Sequence, residues 1–251
     1  MKKHIPNTIT CCNLVSGCIA TYFAFQGSYY MALLFIVIGA VFDFFDGMTA
    51  RLLHVSSPIG KELDSLADDI TFGFAPSAIV FNWMNAQCTM LNAQCTMHNA
   101  QSLAECVGSA DCALCIVHCA LPYLAFIMAA FSALRLAKFN LDERQATGFI
   151  GLPTPANALF WASLIVGMGN SISTVPYAPW LILLGTFVSC YLLVAEIPMF
   201  ALKFKTWGWR GNEVKYVFVL SCIPLLIFLG VAGIAACIAW YIILSVINNH
   251  H

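Results

Sequence analysis

Charge is scarce in this chain. Lys and Arg number 11, Asp and Glu 12, and together they make up 9% of 251 residues, against about 25% in an ordinary soluble domain. With 61% hydrophobic residues and a mean hydropathy of +0.83, that deficit excludes a soluble globular protein and points to an integral membrane protein. A formal net charge of -1 offers no basic field for a phosphate backbone, so nucleic acid is not an expected partner. The length suits one helical bundle with no appended soluble domain, and a single membrane domain is expected over residues 1–251.

Apolar runs able to cross about 30 Å of hydrocarbon fall near residues 10–26, 30–48, 66–84, 113–136, 155–170, 177–200, 213–229 and 232–247. The expected fold class is therefore all-α, a polytopic bundle of about eight transmembrane helices. The last two runs form one apolar stretch from Val214 to Ile247, too long for a single span, and Gly230 and Gly233 offer a turn near its middle. A count of seven stays open beside eight.

Positive charge is missing from one side of that topology altogether. Lys2 and Lys3 precede the first run, Arg51 and Lys61 fall between the second and third, and Arg135, Lys138 and Arg144 follow the fourth. Lys203, Lys205, Arg210 and Lys215 lie between the sixth and seventh, so every Lys and Arg lands on one face. The positive-inside rule makes that face cytoplasmic and places the N-terminus inside. A bacterial inner membrane is the expected location. Lys2 and Lys3 before an apolar stretch mimic a signal peptide, but no convincing small-residue cleavage site follows, and the first run is read as a retained span.

Two features of the opposite side remain. Residues 85–101 read NAQCTML, NAQCTMH, NAQ, a tandem heptad whose Asn, Gln, Thr and Cys leave no apolar coiled-coil seam; a polar outer loop at about 85–112 is expected. Of the 12 cysteines, Cys88, Cys95, Cys106 and Cys112 belong to that loop, where an oxidising compartment would permit disulfides. The alternative is that most are small apolar fillers. Cys112, Cys115 and Cys119 share a helix face, but no His spacing completes a zinc site.

Against this apolar background stands the window from Phe42 to Asp69, FDFFDGMTARLLHVSSPIGKELDSLADD. Asp43 and Asp46 are three apart and Asp64 and Asp68 four apart, so on two helices each pair points to one side. A hairpin folded at Ser56-Ser57-Pro58 would bring the pairs face to face. Gly47 and Ala50 lie on the side of the first pair and Gly60 on that of the second, and small residues let backbones or a ligand approach closely. Four carboxylates in a partly dry cleft repel one another unless cations neutralise them. Arg51 and Lys61 cannot balance six acids in this window, so a divalent metal is expected. Oxygen-only ligands favour a hard ion, Mg²⁺, with Mn²⁺ or Ca²⁺ next and zinc less suited.

The spacing D-x2-D-G-x2-A-R-x8-G-x3-D-x3-D resembles the signature of the CDP-alcohol phosphotransferase family, matched at every fixed position from Asp43 to Asp68. The resemblance implies that a CDP-linked donor loses CMP while its other phosphoryl group passes to an alcohol. It implies binding of two metal ions by Asp43, Asp46 and Asp64, with Asp68 as the general base that also touches metal. Gly47, Ala50 and Arg51 would line the nucleotide and diphosphate, and Pro6, Asn7 and Thr10 would hydrogen-bond the cytidine or ribose. For those last three an ordinary helix start, with Thr10 near the cap, is the competing reading. The physical demands of phosphoryl transfer agree: diphosphate charge must be neutralised, the nucleophile held in line, and its proton accepted by a base. Arg51 adds a planar donor fork suited to phosphate oxygens.

Three further stretches resemble the branch of that family that uses CDP-diacylglycerol and L-serine in the membrane, the integral-membrane phosphatidylserine synthases. They run from Ile5 to Ala20, from Asp69 to Phe81 and from Arg135 to Ala158. Arg135 and Lys138 are candidates for contact with serine or phosphate, because a zwitterionic amino acid needs a cation for its carboxylate; the competing reading is anchoring at lipid headgroups. Asn140 is read as a polar helix terminator. Other acceptors, glycerol 3-phosphate or an inositol phosphate, remain alternatives. None of His4, His54, His98 and His118 has Lys two positions later, so the His-x-Lys pairs of a phosphohistidine-type route are missing and direct displacement is favoured. A cation transporter would place acids near the midplane of several spans, whereas ten of the twelve acids here lie toward one face. A homodimer is kept beside the monomer as an expectation.

Overall fold

The computed structural model describes residues 4–55, 57–99, 120–141, 149–175, 177–199 and 213–248. Helices α1 (His4–Phe25) and α2 (Tyr29–Leu52) pack along one another, joined by a turn in which Gly27 takes φ +74°. After α2 the chain turns back into α3 (Pro58–Asp68), whose start is built by local chemistry. The Ser57 hydroxyl accepts from the Gly60 amide at 3.0 Å, and Pro58 supplies a preset φ at the first helical position. A π-helical turn, Asp69–Phe74, leads from α3 into α4 (Ala75–Asn99). Such turns cluster at functional sites because the extra residue re-aims side chains.

The remaining described elements are a 3₁₀ turn (Leu121–Phe126) running into α5 (Ile127–Leu141), then α6 (Thr154–Ile172), α7 (Ala178–Val194), α8 (Glu213–Leu229) and α9 (Ala232–Asn248). A two-residue antiparallel pair, Phe149–Ile150 with Pro198–Met199, joins the segments before α6 and after α7. The architecture is thus a helical bundle, and the expected turn at Gly230 is present, with φ +56° between α8 and α9. Around the π turn pack α1, α4, α5 and α6.

Within the described residues the expected spans fall mostly on helix: residues 113–119 of the fourth lie outside those residues, Pro198–Met199 of the sixth are strand, and two further differences appear. Among the described residues three helices are long and apolar enough to cross a membrane by length and composition alone: His4–Phe25, Tyr29–Leu52 and Leu121–Leu141. Ala178–Val194, Val214–Leu229 and Ala232–Ile247 are apolar but shorter. The third run does not begin at residue 66 but continues a helix that started at Pro58. Residues 85–99, expected as loop, continue α4. Ala, Gln, Met and Leu are good helix formers, no Gly or Pro interrupts the repeat, and the Thr89 hydroxyl returns to the Asn85 carbonyl at 2.7 Å. The rest of the expected loop, with Cys106 and Cys112, lies outside the described residues; Cys88 is buried on α4.

The core joins Ile36 of α2, Phe72 of the π turn, Ile79 and Met84 of α4, Met128 of α5 and Trp161 of α6, all at most 1% exposed. The Trp161 indole donates to Ser189 at 2.9 Å, satisfying the polar end of a buried ring. Large side chains such as Tyr191, Ile227 and Phe228 are exposed, as expected where hydrocarbon replaces water. Gly39 is what lets α2 approach the π turn so closely. A Cβ at Gly39 would stand 2.5 Å from Thr71 Cγ2 and 2.9 Å from Asn13 Oδ1, contacts real carbons do not make. Gly39→Ala is therefore expected to cost about 1–3 kcal/mol, read as a lower melting temperature of the detergent-solubilised protein.

Candidate active site and metal centre

The hairpin of α2 and α3 brings three of the four aspartates together. Carboxylate oxygens of Asp43, Asp64 and Asp68 all lie within 4.8 Å of one another. Their spacing along two helices produces this: Asp43 sits in the second half of α2, and Asp64 and Asp68 sit one turn apart on α3, facing it. Asp46 is buried on α2 near enough for its charge to act on Asp64, and its Oδ2 accepts from the Thr10 hydroxyl at 2.6 Å. Thr10 also reaches the Pro6 carbonyl at 3.1 Å. The helix-start reading of Thr10 thus gives way to a side chain that holds an aspartate.

Asp68 is held from α1 as well. The amide of Asn13, fully buried, donates from Nδ2 to Asp68 Oδ1 at 3.1 Å. Sequence reasoning missed Asn13, since one Asn in an apolar helix carries no spacing signal; its depth in the span was the only cue. Burial, then the charges of Asp46 and Asp43, pushes the Asp64 carboxyl up to about 7.

The donor set fits a hard cation. Three carboxylates converge on one point, and Asp64 Oδ1 is buried with no hydrogen-bonding partner among the described residues. An orphaned buried carboxylate oxygen is costly, and a cation in the cluster would satisfy it. The cluster can therefore bind a metal.

Beside the aspartates runs a cleft lined by Pro6, Asn7 and Thr10 of α1, Asp46, Gly47 and Ala50 of α2, and Gly60, Lys61 and Asp64 of α3. All but one of the residues expected at the nucleotide thus share one concavity. The exception is Arg51, which is exposed and donates from Nε to the Gly47 carbonyl at 2.9 Å. Gly60 lets α3 approach α1: a Cβ there would meet Ser57 Oγ at 2.9 Å and Asn7 Oδ1 at 3.0 Å. Val55 and Ser57 complete the lining; neither they nor Lys61 was expected at the nucleotide, although Lys61 follows the motif glycine directly.

The two cations expected near an acceptor part company. Arg135 of α5 is 8% exposed, donates from Nη1 to Thr154 Oγ1 at 3.3 Å and lies over the Phe139 ring at 5.7 Å. It also feels the charge of Asp68. Lys138 is exposed in the last turn of α5. Asn140 does more than end a helix: its amide donates to Ser65 Oγ at 2.8 Å and its carbonyl accepts from Lys61 Nζ at 2.9 Å, tying α5 to α3.

Removing the Thr10 hydroxyl tests how Asp46 is held. Thr10→Val keeps the shape and deletes a charge-assisted bond of about 1.5–3 kcal/mol. The expected result is a roughly tenfold or greater rise in the concentration of Mn²⁺ giving half-maximal activity, measured by metal titration.

Known proteins are similar to this chain in sequence. A CDP-diacylglycerol–serine O-phosphatidyltransferase of Bacillus subtilis (strain 168) is 33% identical over 195 residues, covering 78% of this chain and 89% of that protein. One of the same name from Helicobacter pylori (strain ATCC 700392 / 26695) is 27% identical over 258 residues, covering 97% and 94%. One from Saccharomyces cerevisiae (strain ATCC 204508 / S288c) is 60% identical over 47 residues, covering 19% and 17%. The profile of the CDP-alcohol phosphatidyltransferase family matches residues 3–191, a stretch that holds the aspartate cluster, the cleft and Arg135. By that match and by the convergence of Asp43, Asp64 and Asp68, the chain belongs to the CDP-alcohol phosphatidyltransferase family.

Proposed function

We propose that this chain is a CDP-diacylglycerol–serine O-phosphatidyltransferase, moving the phosphatidyl group of CDP-diacylglycerol to the hydroxyl of L-serine with release of CMP. The observation that carries the reading is the convergence of Asp43, Asp64 and Asp68 on one point, in a bundle that also buries an arginine, Arg135, within range of the Asp68 charge. Relatives bearing that name over most of their length support the choice of serine. CDP-diacylglycerol, L-serine and membrane lipid are the partners, and the positive-inside arrangement of Lys and Arg supports an active site facing the cytoplasm of a bacterial inner membrane.

Asp43, Asp46, Asp64 and Asp68 would hold Mg²⁺ or Mn²⁺, as two ions. The ions would neutralise the donor's diphosphate and favour departure of CMP. The cleft lined by Pro6, Asn7, Thr10, Gly47 and Ala50 takes the cytidine end of the donor, and Arg51, swung from Gly47, reaches its phosphate oxygens. Asp68, oriented by Asn13, accepts the proton of the serine hydroxyl. The serine oxygen then bonds to the lipid-side phosphorus, and the phosphorus–oxygen bond to CMP breaks, its electrons leaving with CMP. The acyl chains stay in the bilayer, which explains why the polar machinery sits at helix ends.

The test is acceptor choice by the purified full chain in detergent, with CDP-diacylglycerol, Mn²⁺ and, in separate reactions, labelled L-serine, glycerol 3-phosphate or inositol phosphate. Label is expected in lipid from serine. Label from either phosphate-bearing acceptor and none from serine would overturn the acceptor while leaving the family chemistry intact.

A further inference from the structure

Five buried polar atoms around the π turn have no use in the mechanism so far. Asp69 Oδ1, Ser132 Oγ, Arg135 Nε and both amide atoms of Asn157 are buried and meet no hydrogen-bonding partner among the described residues. Ser132 and Asn157 are 0% exposed and Arg135 8%. Leaving such groups unpaired costs folding free energy, so so many near one place argue for a ligand that pairs them.

Their placement is tight. Ser132 and Arg135 are one turn apart on α5, and Thr154 and Asn157 one turn apart on α6. The bond from Arg135 to Thr154 fastens the two helices together. Asp69 opens the π turn, which packs on both α5 and α6. A Cβ at Gly73 would stand 2.6 Å from Asp69 Oδ1, 2.9 Å from Ser132 Cβ and 3.4 Å from Ser132 Oγ, so Asp69 and Ser132 close around this glycine and their oxygens lie near one another. Asp69 follows Asp68 directly in the chain, and Arg135 is near enough to Asp68 to feel its charge.

We infer that Asp69, Ser132 and Asn157, with the free Nε edge of Arg135, form the acceptor pocket, taking an α-ammonium and an α-carboxylate at once. This rests on the transfer to serine proposed above, and it adds the side chains that would choose a zwitterion. An ammonium has three donors, and Asp69 Oδ1, Ser132 Oγ and Asn157 Oδ1 are three acceptors. A carboxylate wants charged or amide donors, and Arg135 Nε and Asn157 Nδ2 supply them, since Thr154 already occupies Nη1. In L-serine both groups sit on the carbon next to the hydroxymethyl group, so a pocket adjoining Asp68 places the hydroxyl at its base. A phosphate-bearing acceptor gains nothing from Asp69 and is repelled by it, which separates serine from the rival acceptors.

The experiment compares L-serine with 3-hydroxypropionate, which lacks the ammonium, and ethanolamine, which lacks the carboxylate. Each is offered with CDP-diacylglycerol and Mn²⁺ to the full-length protein in detergent. In Asp69→Asn the KM for serine is expected to rise at least about tenfold, and the preference for serine over 3-hydroxypropionate in kcat/KM to fall by a similar factor, while the KM for CDP-diacylglycerol holds. Ser132→Ala removes one neutral oxygen and carries the same ratio test, with a smaller drop, where Asp69→Asn does not accumulate. An unchanged serine KM and unchanged preference in both variants would overturn the pocket alone. Failure of the unaltered protein to use serine would overturn the transfer reading and the pocket with it.

Discussion

Replacing Asp68 by Asn is expected to lower transfer to serine by about 10²–10⁴-fold, the usual contribution of a positioned general base. Asn is isosteric, and its carbonyl oxygen can still accept from Asn13 Nδ2, the bond that now reaches Asp68 Oδ1 at 3.1 Å. Packing should therefore survive while the ability to take a proton does not. The loss should appear in kcat and persist at saturating Mn²⁺, because more metal cannot restore a base. A deficit erased by higher metal would instead make Asp68 chiefly a ligand. Asn13→Ala, acting through Asp68, should lower kcat by a smaller factor and leave the KM for CDP-diacylglycerol unaltered; steady-state kinetics on both variants separate base from positioning residue.

Asp64→Asn is the second large effect. Removing it should weaken divalent-ion binding by more than the 10–100-fold that loss of an outer partner of a ligand typically causes. It should also flatten a pH dependence. With its carboxyl pushed up to about 7 by burial and then by Asp46 and Asp43, Asp64 holds a proton below that pH, and a proton there competes with the metal. At low fixed Mn²⁺, activity is expected to rise as pH increases through about 7. Stability moves the other way in metal-free protein. Because the folded-state value lies above the ordinary 3.8, the native state holds more protons than the unfolded chain, so stability present below the ordinary value is lost as pH rises toward 7. Added Mn²⁺ should accordingly raise the melting temperature more above pH 7 than below it. Thermal melts across pH, with and without metal, check both signs, and Asp64→Asn should remove much of the difference.

How much of this the residue pattern could reveal depended on whether a feature repeats in sequence. The two aspartate pairs do, at helical spacing, and Ser57-Pro58 marks the turn that folds them together, so the cluster was legible. Gly230 was legible for the same reason: a glycine interrupts an apolar run too long for one span. Residues 85–99 were not, because their Asn, Gln and Thr have the polarity of a loop although Ala, Gln, Met and Leu propagate a helix begun upstream. Asn13, Ser132 and Asn157 were invisible for another reason. None belongs to a recognisable motif, and only the packing of α1, α5 and α6 around the π turn brings Asn13 to Asp68 and Ser132 to the glycine that Asp69 also borders, and buries Asn157 with no partner among the described residues. Thr10 looked equally like a cap or a ribose contact, and its bond to Asp46 needed the third dimension to be seen.

The most direct measurement is the stoichiometry of products made by the purified full chain from CDP-diacylglycerol and L-serine, with Mn²⁺ or Mg²⁺ and after chelation. Equal amounts of CMP and phosphatidylserine, formed only with the divalent ion and abolished together in Asp68→Asn, are the predicted result. Undiminished product after complete chelation, or CMP released with no serine entering lipid, would contradict a metal-assisted transfer by the aspartates of α2 and α3.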